Sequence, residues 1–190
     1  MSGEYVQVSG RMIYHLLHPR PAVLVISMGS DCRPGGMVAA WTVSLSHSPP
    51  LVGVAIAPQR NTYRLIKESG QFTLNVFGID LLDKIHLLGS ISGRARDKFA
   101  EVGLRLEPSR TVRPPHASDA LGVLECELER IIDVGGDHDL FVGRVVDAYA
   151  KKGFFKGVYD PAKAKIILHL GKRIYTTLAE VMIVKEHDAR

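Results

Sequence analysis

The stretch LECELERIIDVGGDHDLFVGRVVDAYA, residues 124–150, decides the fold class. Its first part, Leu124–Arg130, alternates apolar and charged residues, so Cys126 and two leucines fall on one face of an extended chain and Glu125 with two further glutamates on the other. A period of two is typical of an antiparallel strand with one buried face. Two glycines beginning at Gly135 then turn the chain into a second apolar run, His138–Ala150. The stretch therefore predicts two paired antiparallel strands.

The rest of the chain repeats this pattern of short apolar runs cut by Gly and Pro. Further strands are predicted at Pro21–Met28, Met37–Ser46, Leu51–Ala57, Phe72–Phe77 and Ile166–Leu170. Short helices are predicted at Thr62–Ser69, Leu81–Leu88 and Arg96–Val102, each followed by a glycine. Many short strands and few helices favour a mostly β fold, a closed antiparallel barrel. A doubly wound dinucleotide-binding sheet is disfavoured, because no G-x-G-x-x-G follows the first strand.

Composition bounds the class of protein. The chain has 190 residues, of which 46% are hydrophobic, and this predicts a single domain over residues 1–190 with a core of its own. Its 24 basic and 20 acidic residues give a net charge of +4, but the cations are scattered, which argues against a nucleic-acid partner and suits small anionic ligands. No run approaches the ~18 apolar residues of a membrane span. Cys32 and Cys126 are far apart, so reduced thiols and a cytoplasmic location are expected.

The segment from Ala57 to Tyr63, APQRNTY, is a candidate anion site. A strand ends there, a proline turns the chain, and a helix opens with Asn61 or Thr62 as its capping residue beside Arg60. The backbone N–H groups and dipole of a helix start favour negative charge, and an arginine adds a full positive charge. An ordinary capped helix with a solvated arginine would give the same pattern.

Three other segments carry polar residues, or small residues that let a ligand approach the backbone. In Gly135–Gly143, His138 lies between two aspartates that could orient its ring and keep it partly protonated; a turn whose aspartates bond their own backbone is the alternative. In Gly35–Ser44, small residues would let a flat ligand approach the backbone, with Trp41 as apolar cover or simply as core. Ser90, Ser92 and Arg94 form another phosphate-compatible patch. No metal site is predicted.

Taken in order, these segments resemble the flavin reductase-like family of FMN-binding split barrels. The resemblance runs from about Pro21 to Tyr175 and is strongest in GDHDLFVGRVV, residues 136–146. The pieces at 37–52, 55–62 and 69–76 match the family's N-terminal half in order and spacing. SGRARDKF, residues 92–99, is similar to the branch that contains flavoredoxins and the reductase components of two-component systems.

The resemblance implies a role for each matching position. His138 would lie on the nicotinamide side of a bound FMN as the catalytic residue, where it would orient the nicotinamide or balance charge. The implied cofactor-binding residues are Met37, Val38, Ala40, Trp41, Thr42, Ala55, Ile56, Ala57, Arg60, Asn61, Thr62, Ser90, Ser92 and Arg94. Asn61, Thr62 and Arg60 would hold the phosphate, with Ser90, Ser92 and Arg94 completing the clamp. Ala40 lacks the hydroxyl that many relatives carry there.

The implied activity is that of an NAD(P)H-dependent flavin or ferric reductase. NADH or NADPH would reduce FMN, and electrons would pass to free flavin, a ferric chelate or a protein partner such as a monooxygenase component. The resemblance also implies a homodimer with the flavin near its interface. One alternative is a flavoredoxin-type FMN electron carrier with little NAD(P)H activity. Another is a split barrel that binds a different planar ligand, such as haem.

Overall fold

The computed structural model describes residues 5–91 and 97–182, and most of their regular structure is antiparallel strand. The strands are β1 (Arg20–Pro21), β2 (Val23–Met28), β3 (Pro34–Ala39), β4 (Thr42–Ser46), β5 (Leu51–Ile56), β6 (Gln71–Val76), β7 (Leu106–Glu107), β8 (His116–Ala117), β9 (Gly122–Asp133), β10 (Asp139–Ala150), β11 (Phe155–Lys156), β12 (Val158–Tyr159), β13 (Leu168–Gly171) and β14 (Ile174–Thr176). The helices are α1 (Asn61–Ser69), α2 (Leu82–Ser90) and α3 (Lys98–Glu101), with 3₁₀ helices at Gly10–Leu17 and Ile79–Leu81. The prediction of a mostly β fold with few short helices is confirmed.

A seven-stranded antiparallel sheet forms the body of the molecule. Its strand order is β3-β2-β6-β9-β10-β5-β4. The two long strands predicted from residues 124–150 are its neighbours β9 and β10, which pair from Gly122 opposite Ala150 to Asp133 opposite Asp139. A second, three-stranded sheet has the order β1-β13-β14.

Closure of the large sheet into a hydrogen-bonded barrel is not confirmed. Its strand order ends at β3 on one side and β4 on the other, and these edge strands pair with β2 and β5 rather than with each other. The two edges are nevertheless consecutive in the chain, because the single strand predicted over Met37–Ser46 breaks at Ala40 and Trp41. At this break the Trp41 carbonyl accepts a hydrogen bond from the Ala55 N–H at 3.0 Å. The chain itself therefore joins the two edges.

The sheet buries apolar side chains on both faces. Along β2, Leu24 and Ile26 pack with Phe77 and with helix α2, while Val23 and Val25 pack with Phe72 and Phe141. This explains why β2 is a continuous apolar run, since a strand covered on both sides has no polar face. Both helices that cover the sheet, α1 and α2, begin or end beside β3.

The predicted helices are present with shifted ends. Helix α1 ends at Gly70, whose φ of 67° suits a residue without a side chain, and the Gly70 N–H donates to the Ile66 carbonyl. Helix α2 continues past Gly89 to Ser90, so the predicted stop is wrong there. Helix α3 is shorter than predicted and begins after Asp97, whose carboxylate accepts from the Phe99 and Ala100 N–H groups.

Glu125 departs from the predicted alternation. The other two glutamates of its face are exposed, but Glu125 is completely buried. Its carboxylate accepts hydrogen bonds from the Arg110, Thr111 and Val112 N–H groups, the Thr111 hydroxyl and the Tyr149 hydroxyl, at 2.6–3.1 Å. Burial alone would raise its pKa, but these hydrogen bonds outweigh burial and lower the pKa of Glu125 to about 2. The loop between β7 and β8 thus folds over a charge that the pattern places in solvent.

Both cysteines are free. Cys126 is buried in the sheet, and burial followed by the neighbouring Glu125 charge raises the pKa of its thiol to about 12. Cys32 is exposed. Over residues 5–91 and 97–182, none of the helices has the length and apolar character that crossing a bilayer requires.

Candidate functional site

The start of helix α1 opens onto a cavity of about 180 Å³, here called the first chamber. It is lined by Gly36, Met37, Gln59, Arg60, Asn61, Thr62, Gly89, Ser90, Ile91 and Lys98. The helix is not capped as predicted: its N-cap residue is Arg60, which makes no side-chain cap, and the Asn61 side chain accepts from Arg64 instead. The N-terminal end of α1 and Arg60 border the same cavity.

Lys98 brings a second cation to the first chamber. Its side chain is only 4% exposed, and its Nζ donates to the Leu88 carbonyl at 3.0 Å and the Ile91 carbonyl at 3.5 Å. Burial, followed by repulsion from Arg60, lowers the pKa of Lys98 to about 8. None of the described residues that line the first chamber carries a carboxylate. Two cations that repel each other with no carboxylate beside them make this chamber suited to an anion.

The second chamber adjoins the first and is larger, about 350 Å³. It is lined by Ala22, Val38, Ala40, Arg60, Ile85, His86, Gly89, Ser90, His169, Lys172 and Tyr175, so that Arg60, Gly89 and Ser90 border both chambers. Its floor is apolar. On one side the Tyr175 hydroxyl and the His86 Nδ1 share a hydrogen bond of 2.9 Å, and the His169 and Tyr175 rings are 5.1 Å apart. This lining fits a flat ligand that accepts hydrogen bonds.

The predicted residues Trp41 and His138 lie together but line neither chamber. Their ring centroids are 4.8 Å apart, and the ring of Tyr14, in the N-terminal 3₁₀ helix, makes an edge contact with Trp41 at 5.0 Å. The His138 Nδ1 is 2.7 Å from the Asp137 carboxylate, and this hydrogen bond lowers the pKa of Asp137. Asp139, the other flanking aspartate, instead accepts from the Tyr63 hydroxyl at 2.7 Å, which ties β10 to α1.

Four predicted cofactor residues lie on β4, on β5 or directly after β5, beyond the break at Ala40 and Trp41. Thr42 and Ala55 are half-buried, whereas Ile56 and Ala57 are buried, and Ile56 packs in the core with Phe141. None of the four lines either chamber. Ala55, Ile56 and Ala57 lie on the segment that leads to α1, and Thr42 lies on the neighbouring strand β4.

The polar patch after α2 is only partly described. Ser90 borders both chambers, and its hydroxyl donates to the His86 carbonyl at 3.0 Å. Ser92 and Arg94 lie outside the described residues. Of the predicted set, seven residues thus meet at the two chambers: Met37, Val38, Ala40, Arg60, Asn61, Thr62 and Ser90.

Sequence reasoning missed Lys98, His86, His169, Lys172 and Tyr175 as lining residues. For Lys98 there was one usable signal, because a lysine between Asp97 and Phe99 at a helix start must either reach solvent or enter the core beside the phenylalanine. Nothing local marks Tyr175 or Lys172. They reach the cavity because β13 pairs with β1, which immediately precedes β2 in the chain.

Two solved structures similar to this chain are named as an FMN-binding protein and a flavoredoxin. The FMN-binding protein from Thermus thermophilus, crystallised with 1-cyclohex-2-enone, superposes with a TM-score of 0.83 at 31% identity, covering 97% of this chain and 100% of that one. The flavoredoxin of Desulfovibrio vulgaris superposes with a TM-score of 0.85 at 26% identity, covering 97% and 98%.

Sequence relatives lead to the same group of proteins. A relative from Pyrococcus abyssi is 35% identical over 88% of this chain and 95% of its own length, while the chain spans 57% of a relative from Aeropyrum pernix. The reductase component of a 4-nitrophenol monooxygenase from Rhodococcus opacus is 30% identical over 72% of this chain and 69% of its own. The ferric-chelate reductase (NAD(P)H) of Archaeoglobus fulgidus is 28% identical over 67% and 75%.

The match to a family model covers most of the chain. Residues 15–167 match the flavin reductase like domain. This range includes β1–β12, all three α-helices and every residue of the first chamber. The chain therefore belongs to the flavin reductase-like family.

Proposed function

We propose that this protein, as one flavin reductase-like domain over residues 1–190, is an FMN-dependent oxidoreductase that takes electrons from NADH or NADPH. The observation that carries the proposal is the first chamber, where Arg60 and the buried Lys98 face the start of α1 with no carboxylate among the described lining residues. A buried ammonium beside an arginine at a helix start favours a phosphate group, because charge-assisted hydrogen bonds are strongest where water is excluded.

The residues of the two chambers fit the chemistry of FMN, and the shared border of the chambers fits a phosphate joined to a ring. Arg60, Thr62 and Lys98 would hold the phosphate, with Asn61 and Ser90 beside it. The second chamber, which opens from the first, would take the ring against Val38 and Ala40, where the small Ala40 side chain lets the ring approach the backbone. When bound, FMN supplies the redox chemistry by accepting a hydride and passing on electrons.

The remaining predicted residues would act around the ring. Trp41 and His138 lie just beyond the β3 edge, and Asp137 fixes the orientation of the imidazole through the 2.7 Å hydrogen bond. His138 would then position the nicotinamide rather than transfer a proton. Thr42, Ala55, Ile56 and Ala57 would keep the strand beneath the ring rigid.

The acceptor and the partners are part of the same proposal. Free flavin, a ferric chelate and a monooxygenase component are the three acceptors that the names of the relatives support. A homodimer is supported by apolar residues near the N-terminus, since Tyr5, Val6, Leu16 and Leu17 are 65–92% exposed. We place the protein in the cytoplasm, with no role in binding nucleic acid or membrane.

The proposal is tested by titrating the purified protein with FMN and, separately, with riboflavin, followed by flavin absorbance. We expect FMN to bind at least 100-fold more tightly, because riboflavin lacks the phosphate. Anaerobic titration of the complex with NADH and NADPH should then bleach the flavin. A protein that binds neither FMN nor riboflavin overturns the proposal, and one that is purified with haem supports the other planar-ligand reading.

A flavoredoxin-type electron carrier is the second candidate, favoured by the similarity to the Desulfovibrio flavoredoxin. It predicts tight FMN binding by the same chambers but negligible oxidation of NADH or NADPH. If the chemically reduced protein passes electrons to a redox protein while neither nicotinamide is consumed, this candidate replaces the first.

A further inference from the structure

The hairpin formed by β13 and β14 brings residues to the second chamber that neither the motifs nor the family resemblance assign. Gly171 pairs with Ile174, so Lys172 and Arg173 are the two central residues of a tight turn. His169, Lys172 and Tyr175 line the chamber, and Arg173 does not.

Lys172 has a backbone conformation that is unfavourable for its residue type. Its φ is 53°, and among the described residues only Cys32, at 59°, shares a positive φ without being glycine. The first central position of a two-residue hairpin turn with positive φ is one where glycine is preferred, because a Cβ there crowds the backbone. A lysine at this position is therefore not explained by the turn itself.

The backbone of the turn is held without the Lys172 side chain. The Lys172 carbonyl is 3.1 Å from the His169 Nε2. A Cβ on Gly171 would lie 2.8–2.9 Å from the His15 ring, so the N-terminal 3₁₀ helix packs directly against the hairpin. These contacts fix the position of the turn relative to the chamber.

The Lys172 ammonium has no partner in the described part of the chain. No carboxylate of residues 5–91 and 97–182 forms an ion pair with it, and the described residues lining the second chamber include no acid. Strained backbone that is held by its surroundings often marks a functional position. What Lys172 adds at this position is a positive charge at the rim of the second chamber.

We propose that Lys172 is a cofactor-facing cation, which the hairpin presents to the second chamber to stabilise negative charge on the ring of bound flavin. The inference rests on the proposed function. A flavin that takes up two electrons and one proton carries one more negative charge than before, and a nearby cation favours that state. Lys172 would thus raise the reduction potential of the bound cofactor and is distinct from the phosphate-binding cations Arg60 and Lys98.

The test measures the reduction potential of bound FMN with dithionite as reductant, in wild type, Lys172→Gln and Arg173→Gln. In Lys172→Gln we expect the preference for reduced over oxidised FMN to fall about tenfold, which lowers the potential by about 30 mV for a two-electron couple. Arg173→Gln removes the same charge one residue away, outside the chamber lining. It should change the reduction potential by much less than the shift of about 30 mV expected for Lys172→Gln.

A second measurement uses the protein without flavin. Lys172→Gly removes the backbone conflict, so its thermal unfolding midpoint should equal or exceed that of wild type. The matched control is Cys32→Gly, which removes the same conflict at a residue that lines neither chamber and should likewise not lower the midpoint. A clear fall in the midpoint of Lys172→Gly would mean that the lysine serves the fold and would overturn the inference.

The outcomes separate the two proposals. A wild-type protein that binds no FMN overturns both the proposed function and the role of Lys172. FMN binding with equal potentials in wild type and Lys172→Gln overturns the role of Lys172 alone.

Discussion

Two buried charges in this molecule have opposite surroundings. Glu125 receives hydrogen bonds from three backbone N–H groups and two hydroxyls, and the pKa of its carboxyl is lowered to about 2. Lys98 donates to two carbonyls, has Arg60 nearby, and the pKa of its ammonium is lowered to about 8. In Glu125 the charged form is stabilised by the fold, whereas in Lys98 it is penalised.

The surroundings of Glu125 and Lys98 differ in whether the charge needs a further partner. Glu125 closes the loop between β7 and β8 over the sheet, and nothing further is required to satisfy its charge. A cation that is destabilised by burial and by a second cation gains most when an anion enters. The loop around Glu125 is therefore structural, whereas the first chamber around Lys98 has the charge that the proposed phosphate site requires.

The largest expected effect comes from removing the charge of Glu125, whose hydrogen bonds are satisfied by the fold. Glu125→Gln should lower the free energy of unfolding at pH 7 by about 3 kcal/mol, because three N–H groups lose their charged acceptor. Since the folded pKa lies below the unfolded value of 4.5, this stability is present above about pH 4.5 and is lost as the pH falls towards 2. Chemical denaturation of both proteins from pH 7 to pH 3 measures it.

The control for Glu125 is Glu127→Gln, an exposed position on the same strand. It removes the same charge and should change stability by less than about 0.5 kcal/mol. Equal stability of Glu125→Gln and wild type at pH 7 would mean that the hydrogen bonds to Glu125 do not stabilise the loop.

The next effect removes the phosphate site. Arg60→Ala combined with Thr62→Ala should weaken FMN binding by about 3 kcal/mol, which is more than 100-fold in Kd, since two donors to a charged group are lost. Riboflavin binding should change little. Isothermal titration of each flavin measures this, and unchanged FMN affinity would remove the phosphate from the start of α1.

Lys67→Ala is the matched control for the α1 site. Lys67 lies on the same helix, is exposed and lines neither chamber. It should retain FMN affinity within about threefold, as expected for an exposed charge that salt screens from the bound phosphate. A loss comparable to that of the double variant would mean that general positive charge, rather than the chamber, attracts FMN.

A smaller effect tests Lys98, the cation whose charged form is disfavoured by burial. Lys98→Met should weaken FMN binding about tenfold at pH 7, about 1.4 kcal/mol, because one buried positive charge is removed from the anion site. The free energy of unfolding without flavin should stay equal or rise, since the cost of burying a charge with no carboxylate in the described chamber lining outweighs the two hydrogen bonds that are lost. Titration calorimetry and denaturation separate the two effects.

The pH dependence of FMN binding gives the sign of the Lys98 effect. Lys98 is charged below a pKa of about 8, so wild-type affinity should be highest below that pH and fall as the pH rises through it. Without ligand the stability contribution runs the other way and rises from about pH 8 towards 10.5, because the unfolded chain holds that proton longer. Lys98→Met should show neither dependence between pH 7 and 9. A wild-type affinity that is independent of pH in this range contradicts the assignment.

The comparison also shows what the sequence could and could not predict. The alternation in residues 124–130 correctly predicts β9, but the same alternation places Glu125 in solvent. Its burial depends on the loop 108–115, whose position over the sheet is a tertiary property. At the site, the proline turn and Arg60 locate the start of α1 because a helix start is a local feature. Lys172 could not be predicted, since it reaches the second chamber through packing of distant segments. Lys98 had only the local signal of its place between Asp97 and Phe99, which does not show that its ammonium reaches a cavity.

The smallest effect concerns a third region, the turn between β9 and β10. His138 is partly exposed, hydrogen-bonded to Asp137, in tilted ring contact with Trp41 and outside both chambers. His138→Ala should therefore leave the FMN Kd unchanged while slowing reduction of bound flavin by NADH or NADPH about tenfold, a loss of about 1.4 kcal/mol in orienting the donor. Stopped-flow absorbance measures the rate, and Asp137→Asn, which keeps the ring but weakens its anchor, should fall between the two. Equal losses of FMN affinity and rate would instead make His138 a structural support of the β10 turn, because a residue that only positions the donor cannot alter a complex formed in its absence.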